Sequence, residues 1–195
     1  MVSAAQIKSH VQFTLQRYSI RMLLRLIAFI LLPLSVVAAQ FPLKSDAKLV
    51  VLIFISSECP ISNKLAPEIE RLTHKFPTNE VSFNLIYPNA SDTDAKISTH
   101  RRDYHLTANF LHDTQHELVK IAGATVTPEA AVFNSKRELV YRGHINDRVL
   151  ALGKDRPQAT QNDLEDAITV LLAGKKPKHA RTEAIGCYIQ DENQK

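Results

Sequence analysis

Cysteine is scarce in this chain, with two among 195 residues, and glycine numbers only five. Five glycines exclude a collagen-like repeat, and no internal repeat of another kind is present. Acidic residues are missing from positions 1–39, which carry Lys8, Arg17, Arg21 and Arg25. The formal net charge of +4 originates there. Removing those four from the 24 Lys and Arg leaves 20, facing 20 Asp and Glu. So balanced a body lacks the basic surplus of a nucleic-acid-binding domain, and no nucleic acid is expected as partner. An apolar share of 45% with 23% charged residues argues against a disordered chain or a coiled coil. The length suits one domain with a sizeable core.

The N-terminal stretch "RMLLRLIAFILLPLSVVAAQ" has a basic flank, an apolar segment from Leu26 to Val37, then Val37-Ala38-Ala39. Small residues at those positions fit signal-peptidase cleavage after Ala39. The apolar segment is about 12 residues, short against the ~20 of a membrane span. Residues 1–39 therefore read as a signal peptide, with Met22 as an alternative start. An uncleaved membrane anchor and an organellar transit peptide are the other readings. The expectation is an exported protein, periplasmic or extracellular, or anchored to a membrane through this segment. In an oxidising compartment two cysteines can pair.

Lys48 to Ile55, "KLVVLIFI", is a continuous apolar run that suits a strand buried on both faces. Pro60 follows, then Ile61, Leu65, Ile69 and Leu72 at helical spacing, with proline in the first turn. "EVSFNLIYP" (80–88) predicts a second strand, alternating through Val81, Phe83, Leu85 and Tyr87. "DTDAKISTHRRDY" (92–104) predicts a helix capped by acidic residues, and "TQHELVKIAGA" (114–124) another that ends at Gly123. Ala130–Phe133 and Leu139–Tyr141 predict a hairpin across "NSKRE". A final helix is capped by Thr160 or Asn162, carries Leu164, Ile168, Leu171 and Leu172, and stops at Gly174. This order predicts an α/β fold with a mixed central sheet, parallel strands plus an antiparallel hairpin, flanked by helices. The expected organisation is a leader (1–39), a domain (40–175) and a polar tail (176–195) that carries Cys187.

Ligand sites in such sheets lie beyond the carboxyl ends of the parallel strands, and Cys59 stands there. A thiol attacks as its thiolate, roughly 3% of the total at neutral pH for an unperturbed cysteine and about three quarters if the pKa falls to ~6.5. The amides and dipole at a helix start favour the anion. Ser56, three residues earlier, is a candidate hydroxyl donor to the sulfur. Glu58 opposes the shift by its charge. An inert buried cysteine is the competing reading.

The stretches "SSECPISNKLAPE", "ATVTPEAAVF", "YRGHINDR", "LLAGK" and "TEAIGCYI" together resemble the thioredoxin-fold redoxins, in particular exported bacterial redoxin-domain proteins. The resemblance runs from about Lys48 to Ile189. It implies a thioredoxin-like fold and a thiol–disulfide oxidoreductase or thiol-dependent peroxidase with no bound cofactor and no metal. Implied partners are protein or small-molecule thiols and disulfides, or hydroperoxides, with an external thiol as reductant. Where thioredoxins carry Cys-x-x-Cys, this chain has Ser56-Ser57-Glu58-Cys59. Peroxiredoxins carry Ser or Thr, two residues, Cys and often Pro, and Ser56 to Pro60 matches. The chain departs from them at Ile53, where they place proline, and in having only Arg142 as a candidate second basic residue. Thr127-Pro128 resembles the cis-proline loop of these folds, which with Pro60 shapes a substrate groove, the Thr127 backbone pairing with substrate.

Cys187 ends a polar segment able to fold back over the site, and its functional reading is a resolving cysteine that forms a disulfide with Cys59. A static bridge, and free, metal-binding or intermolecular roles, are its alternatives. His100, His105, His112 and His116 lie near one another in sequence but match no firm ligand spacing, and most are read as solvated. Copper-handling relatives of the Sco type have a second cysteine where Asn63 stands here, so a copper-delivery protein is an alternative function. A non-catalytic binding module is the other.

Overall fold

The structure, a computed structural model, describes residues 41–190. The expectations for the leader fall on residues 1–39, outside that range. Leu49–Phe54 forms β1, and every one of its residues is buried. Leu49, Val51 and Ile53 face one apolar cluster, while Val50, Leu52 and Phe54 face the other. Two-sided burial explains why the run is continuously apolar rather than alternating.

Pro60–Lys75 is α1 and Val81–Tyr87 is β2, parallel to β1 from Leu49↔Val81 to Phe54↔Ile86. Asp94–Asp103 is α2 and Asn109–His112 is β3, parallel to β2. Glu117–Ala122 is α3, followed by β4 (Val126–Thr127) and β5 (Glu129–Asn134). The hairpin partner β6 spans Leu139–Gly143, β7 spans Val149–Ala151 and β8 spans Lys154–Asp155. Asp163–Leu172 is α4, and the tail contributes β9, Cys187–Tyr188.

The main sheet runs β3-β2-β1-β5-β6, with β4-β9 and β7-β8 as small separate ladders. β5 is antiparallel to β1 and to β6. Ile61, Leu65, Ile69 and Leu72 of α1 pack with Ile97 of α2 and Leu164 and Ile168 of α4 in one cluster. Leu118 and Ala122 of α3 pack in the other. Helices thus cover both faces, and the carboxyl ends of three parallel strands open on one edge. No helix among the described residues is long and apolar enough to cross a membrane.

Several local expectations are corrected. Thr93, not Asp92, caps α2, its hydroxyl accepting from Lys96 N at 3.4 Å. Asp92 is fully buried and bonded elsewhere. The helix expected over 114–124 begins three residues late, because the Asp113 carboxylate accepts from Glu117 N at 2.9 Å and Val119 N at 3.0 Å. Asn162 is the residue before α4, but its side chain makes no capping bond. Acidic Asp163, Glu165 and Asp166 in the first turn complement the dipole instead. His100 is buried rather than solvated.

Ile53 lies at the centre of this arrangement with no exposed surface. Ile53→Ala is expected to lower stability by about 2–5 kcal/mol, read from urea unfolding followed by far-ultraviolet dichroism. A smaller loss would mean that the sheet collapses onto the vacated volume.

Candidate active site

Strand β1 continues through Ile55, whose N–H donates to Ile86 O at 2.8 Å, and the chain then turns. Cys59 is the residue before α1, with extended backbone (φ −86°, ψ 112°), and Pro60 is the first helical residue. The turn closes through Cys59 N to Ser56 O at 3.2 Å. From behind, Asp92 accepts from Ser57 N at 2.9 Å and also from the Ser57 hydroxyl. Asn63 Nδ2 donates to Ser57 O at 3.3 Å, and its Oδ1 meets His100 Nε2 at 2.9 Å. His100 Nδ1 meets the Tyr87 hydroxyl at 2.8 Å. Burial holds His100 below the ordinary imidazole range, against the pull of Asp92 and Asp103. A neutral ring with these partners carries its proton on Nε2 and accepts at Nδ1.

The Cys59 side chain is 2% exposed. Its sulfur lies 3.0 Å from Thr127 O, to which the protonated thiol donates. The Thr127-Pro128 bond is cis. Strand β4 pairs antiparallel with β9, Thr127 opposite Cys187 and Val126 opposite Tyr188. The tail therefore brings Cys187 beside Cys59, and each thiol bears on the proton affinity of the other. Both thiols are free.

Opposing effects act on Cys59. Burial, the largest, raises its pKa. The Cys187 thiol, the Ser62 amide, the Ser62 hydroxyl and Thr127 lower it, and together they win. Ser62 sits three residues into α1, where a capping side chain meets the helix amides. Cys59 makes no full capping bond there, so this amide acts as a directed dipole at longer reach. The Thr127 carbonyl favours the thiol and works against the shift. Cys187 moves the other way, pushed up to about 11 by burial, by its hydrogen bond to Cys59 and by the charge there. Cys59 is thus the more acidic thiol of the two, and Cys187 holds its proton to higher pH.

Of the residues expected at the site, Cys59, Pro60, Thr127, Pro128 and Cys187 are brought together. Ser56 is corrected: its hydroxyl accepts from Glu58 N at 3.4 Å, and its N–H donates to the Ser62 hydroxyl at 3.4 Å. The hydroxyls that favour the thiolate belong to Ser62 and Thr127. Only the placement of Cys59 as the cap of its own helix would have pointed to Ser62. Glu58 turns outward to Lys96 Nζ at 2.5 Å. Arg142 is ion-paired with buried Glu129 at 3.1 Å and donates to Gly123 O. Thr127, expected to offer its backbone to substrate, is paired with the tail. Among the described residues no three His, Cys, Asp or Glu side chains gather as a metal site.

No protein-family model matches the sequence, and no curated protein matches it. Solved structures do. An uncharacterized conserved protein from Geobacillus kaustophilus is 25% identical with a TM-score of 0.68, covering 78% of this chain and 81% of its own. A hypothetical protein from Sinorhizobium meliloti is 25% identical with a TM-score of 0.65, covering 74% and 80%. A thioredoxin-like protein solved in its oxidised form is 16% identical with a TM-score of 0.50, covering 67% and 81%. The fold is thioredoxin-like. The mixed sheet and its helices agree with the expectation from the sequence.

If the Cys187 thiol favours the Cys59 thiolate, Cys187→Ala should raise the Cys59 pKa, by about one pH unit for the loss of one hydrogen bond to a charged sulfur. Thiolate absorbance of the reduced protein across pH is the measurement. An unmoved or lowered titration would rule the interaction out.

Proposed function

We propose that the chain is an exported thiol oxidoreductase in which Cys59 is the nucleophile and Cys187 the resolving thiol. One observation carries this reading. Two cysteines far apart in sequence meet at the start of a helix, one with its pKa lowered and the other raised to about 11. A core has no need of that polarisation, whereas thiol exchange requires a thiolate and a proton donor.

The chemistry balances for either oxidant. With a disulfide, the Cys59 thiolate forms a mixed disulfide and expels one thiolate; Cys187 then loses its proton, attacks the Cys59 sulfur and expels the second. With a hydroperoxide, Cys59 takes one oxygen and the alcohol leaves with a proton; attack by Cys187 on the sulfenic acid releases water and closes the same bond. Disulfide exchange is favoured of the two, since it asks for no arginine at the sulfur and Arg142 is held by Glu129. No cofactor enters either sequence. Export rests on the basic flank, short apolar segment and Val37-Ala38-Ala39.

Mixing the reduced protein with one equivalent of a small disulfide, or of hydrogen peroxide, should yield an intramolecular 59–187 disulfide by peptide mass mapping. Cys187→Ser should instead accumulate a mixed disulfide, or a sulfenic acid, on Cys59. Oxidation that gives only intermolecular bonds would overturn the pairing. Copper bound by the wild type and lost on Cys59→Ser, without turnover, would favour the delivery protein.

Protein recovered from its native host should begin near Gln40 when sequenced from the N-terminus. An intact leader retained in the membrane fraction would support the anchor instead.

A further inference from the structure

The tail does more than carry a sulfur. Arg142 N–H donates to Ala180 O at 2.9 Å and Thr182 N–H to Arg142 O at 3.0 Å, fixing the start of the tail on β6. The Thr182 hydroxyl accepts from His144 N at 3.1 Å. Farther on, Ile189 N–H donates to Thr125 O at 3.1 Å and Gln190 N–H to Asn89 Oδ1 at 3.2 Å. Between these anchors Gly186 lies flat on the cis peptide. A Cβ placed there would fall 2.2 Å from Thr127 O and 2.6 Å from its carbonyl carbon. The backbone of Thr127, next to the Cys59 sulfur, is thus already paired by the chain itself. An extended polypeptide that engages a site by adding a strand needs such an unpaired edge. Cys59 is sealed beneath, whereas Cys187 remains half-exposed.

Resting on the two-cysteine reading, we propose that strand β9 excludes extended polypeptides from Thr127, so that the external reductant of the 59–187 disulfide is a small thiol, which attacks at Cys187. Cys59 Sγ touches Thr127 O, and Cys187 is the residue paired with Thr127, so the bond closes with β9 kept in place. A small thiolate attacks the Cys187 sulfur, the bond to Cys59 breaks, and Cys59 leaves with the electron pair. A second small thiol attacks the mixed disulfide, releases the symmetric small disulfide and leaves its proton on Cys187. Two thiols are oxidised and one protein disulfide is reduced. The preference for Cys59 as leaving group agrees with its being the more stabilised thiolate.

The test uses the full chain with its 59–187 disulfide formed, mixed with glutathione or with a longer cysteine-containing peptide of similar thiol pKa, acid-quenched and mapped by mass. The expected glutathione adduct is on Cys187. The peptide should react more slowly by about tenfold or more, as for a groove open about one-tenth of the time. Gly186→Ala, whose methyl must displace the tail from Thr127, should raise the peptide rate selectively and spread adducts to Cys59. Ile189→Ala, which trims an anchor of the tail, should do the same to a lesser degree and serves if the glycine variant does not fold. A glutathione adduct on Cys59 in the wild type, or equal rates for glutathione and peptide, would overturn the inference and leave the two-cysteine couple standing. Failure to form the 59–187 disulfide would overturn both.

Discussion

The pairing of Thr127 with Cys187 is the contact on which the site depends. It joins a two-residue strand before the sheet's hairpin to a two-residue strand in the tail. Neither strand has enough side-chain packing to persist alone. Each is held because its neighbours are fixed: β4 leads straight into β5, which is buried against β1, and β9 is flanked by anchors on Thr125 and Asn89. Through that pairing the Cys59 sulfur, set against the Thr127 carbonyl, acquires its thiol neighbour. Without it Cys59 would be a buried sulfur with only the first turn of α1 to favour its charge.

Electrostatics at the sulfur is a contest. Burial and the Thr127 carbonyl favour the neutral thiol, while the Cys187 thiol and the dipoles of α1 favour the anion. The supporting network is neutral where it can be. His100 is held deprotonated by burial and ties Asn63 of α1 to Tyr87 at the end of β2. Glu58, the nearest acid in sequence, points outward to Lys96. The loop thus keeps a negative side chain next to the cysteine without placing its charge against the sulfur.

Much of this was legible from residue order, and the illegible parts share a cause. β1 could be read because burial on both faces demands an unbroken apolar run, and α1 because one face of a helix must be apolar. β3 could not, since it lies at the edge of the sheet with Asn109 and Phe110 exposed, Phe110 stacking under Arg101 at 4.3 Å. The β4-β9 ladder relies on backbone bonds between residues distant in sequence, and a two-residue strand has no period to detect. Ser56 matched a motif and Ser62 did not. The helix start decides between them, since its geometry aims the third residue's amide and hydroxyl toward the capping sulfur. Cys59, Pro60, Thr127, Pro128 and Cys187 were legible as a set because each stands at a boundary between elements or in a tail that lacks a core-forming pattern.

The shortness of β9 has a consequence for motion. The five-stranded sheet must open cooperatively, since β1 is shared between two neighbours and two apolar clusters. The tail is bound by a few isolated bonds and half-buried side chains, so it can detach as a local event at much lower free energy than the sheet. Amide exchange in residues 185–190 should therefore be far faster than in β1. A bulky reagent would meet the Cys59 sulfur at a rate governed by that local fluctuation, independent of the stability of the domain as a whole.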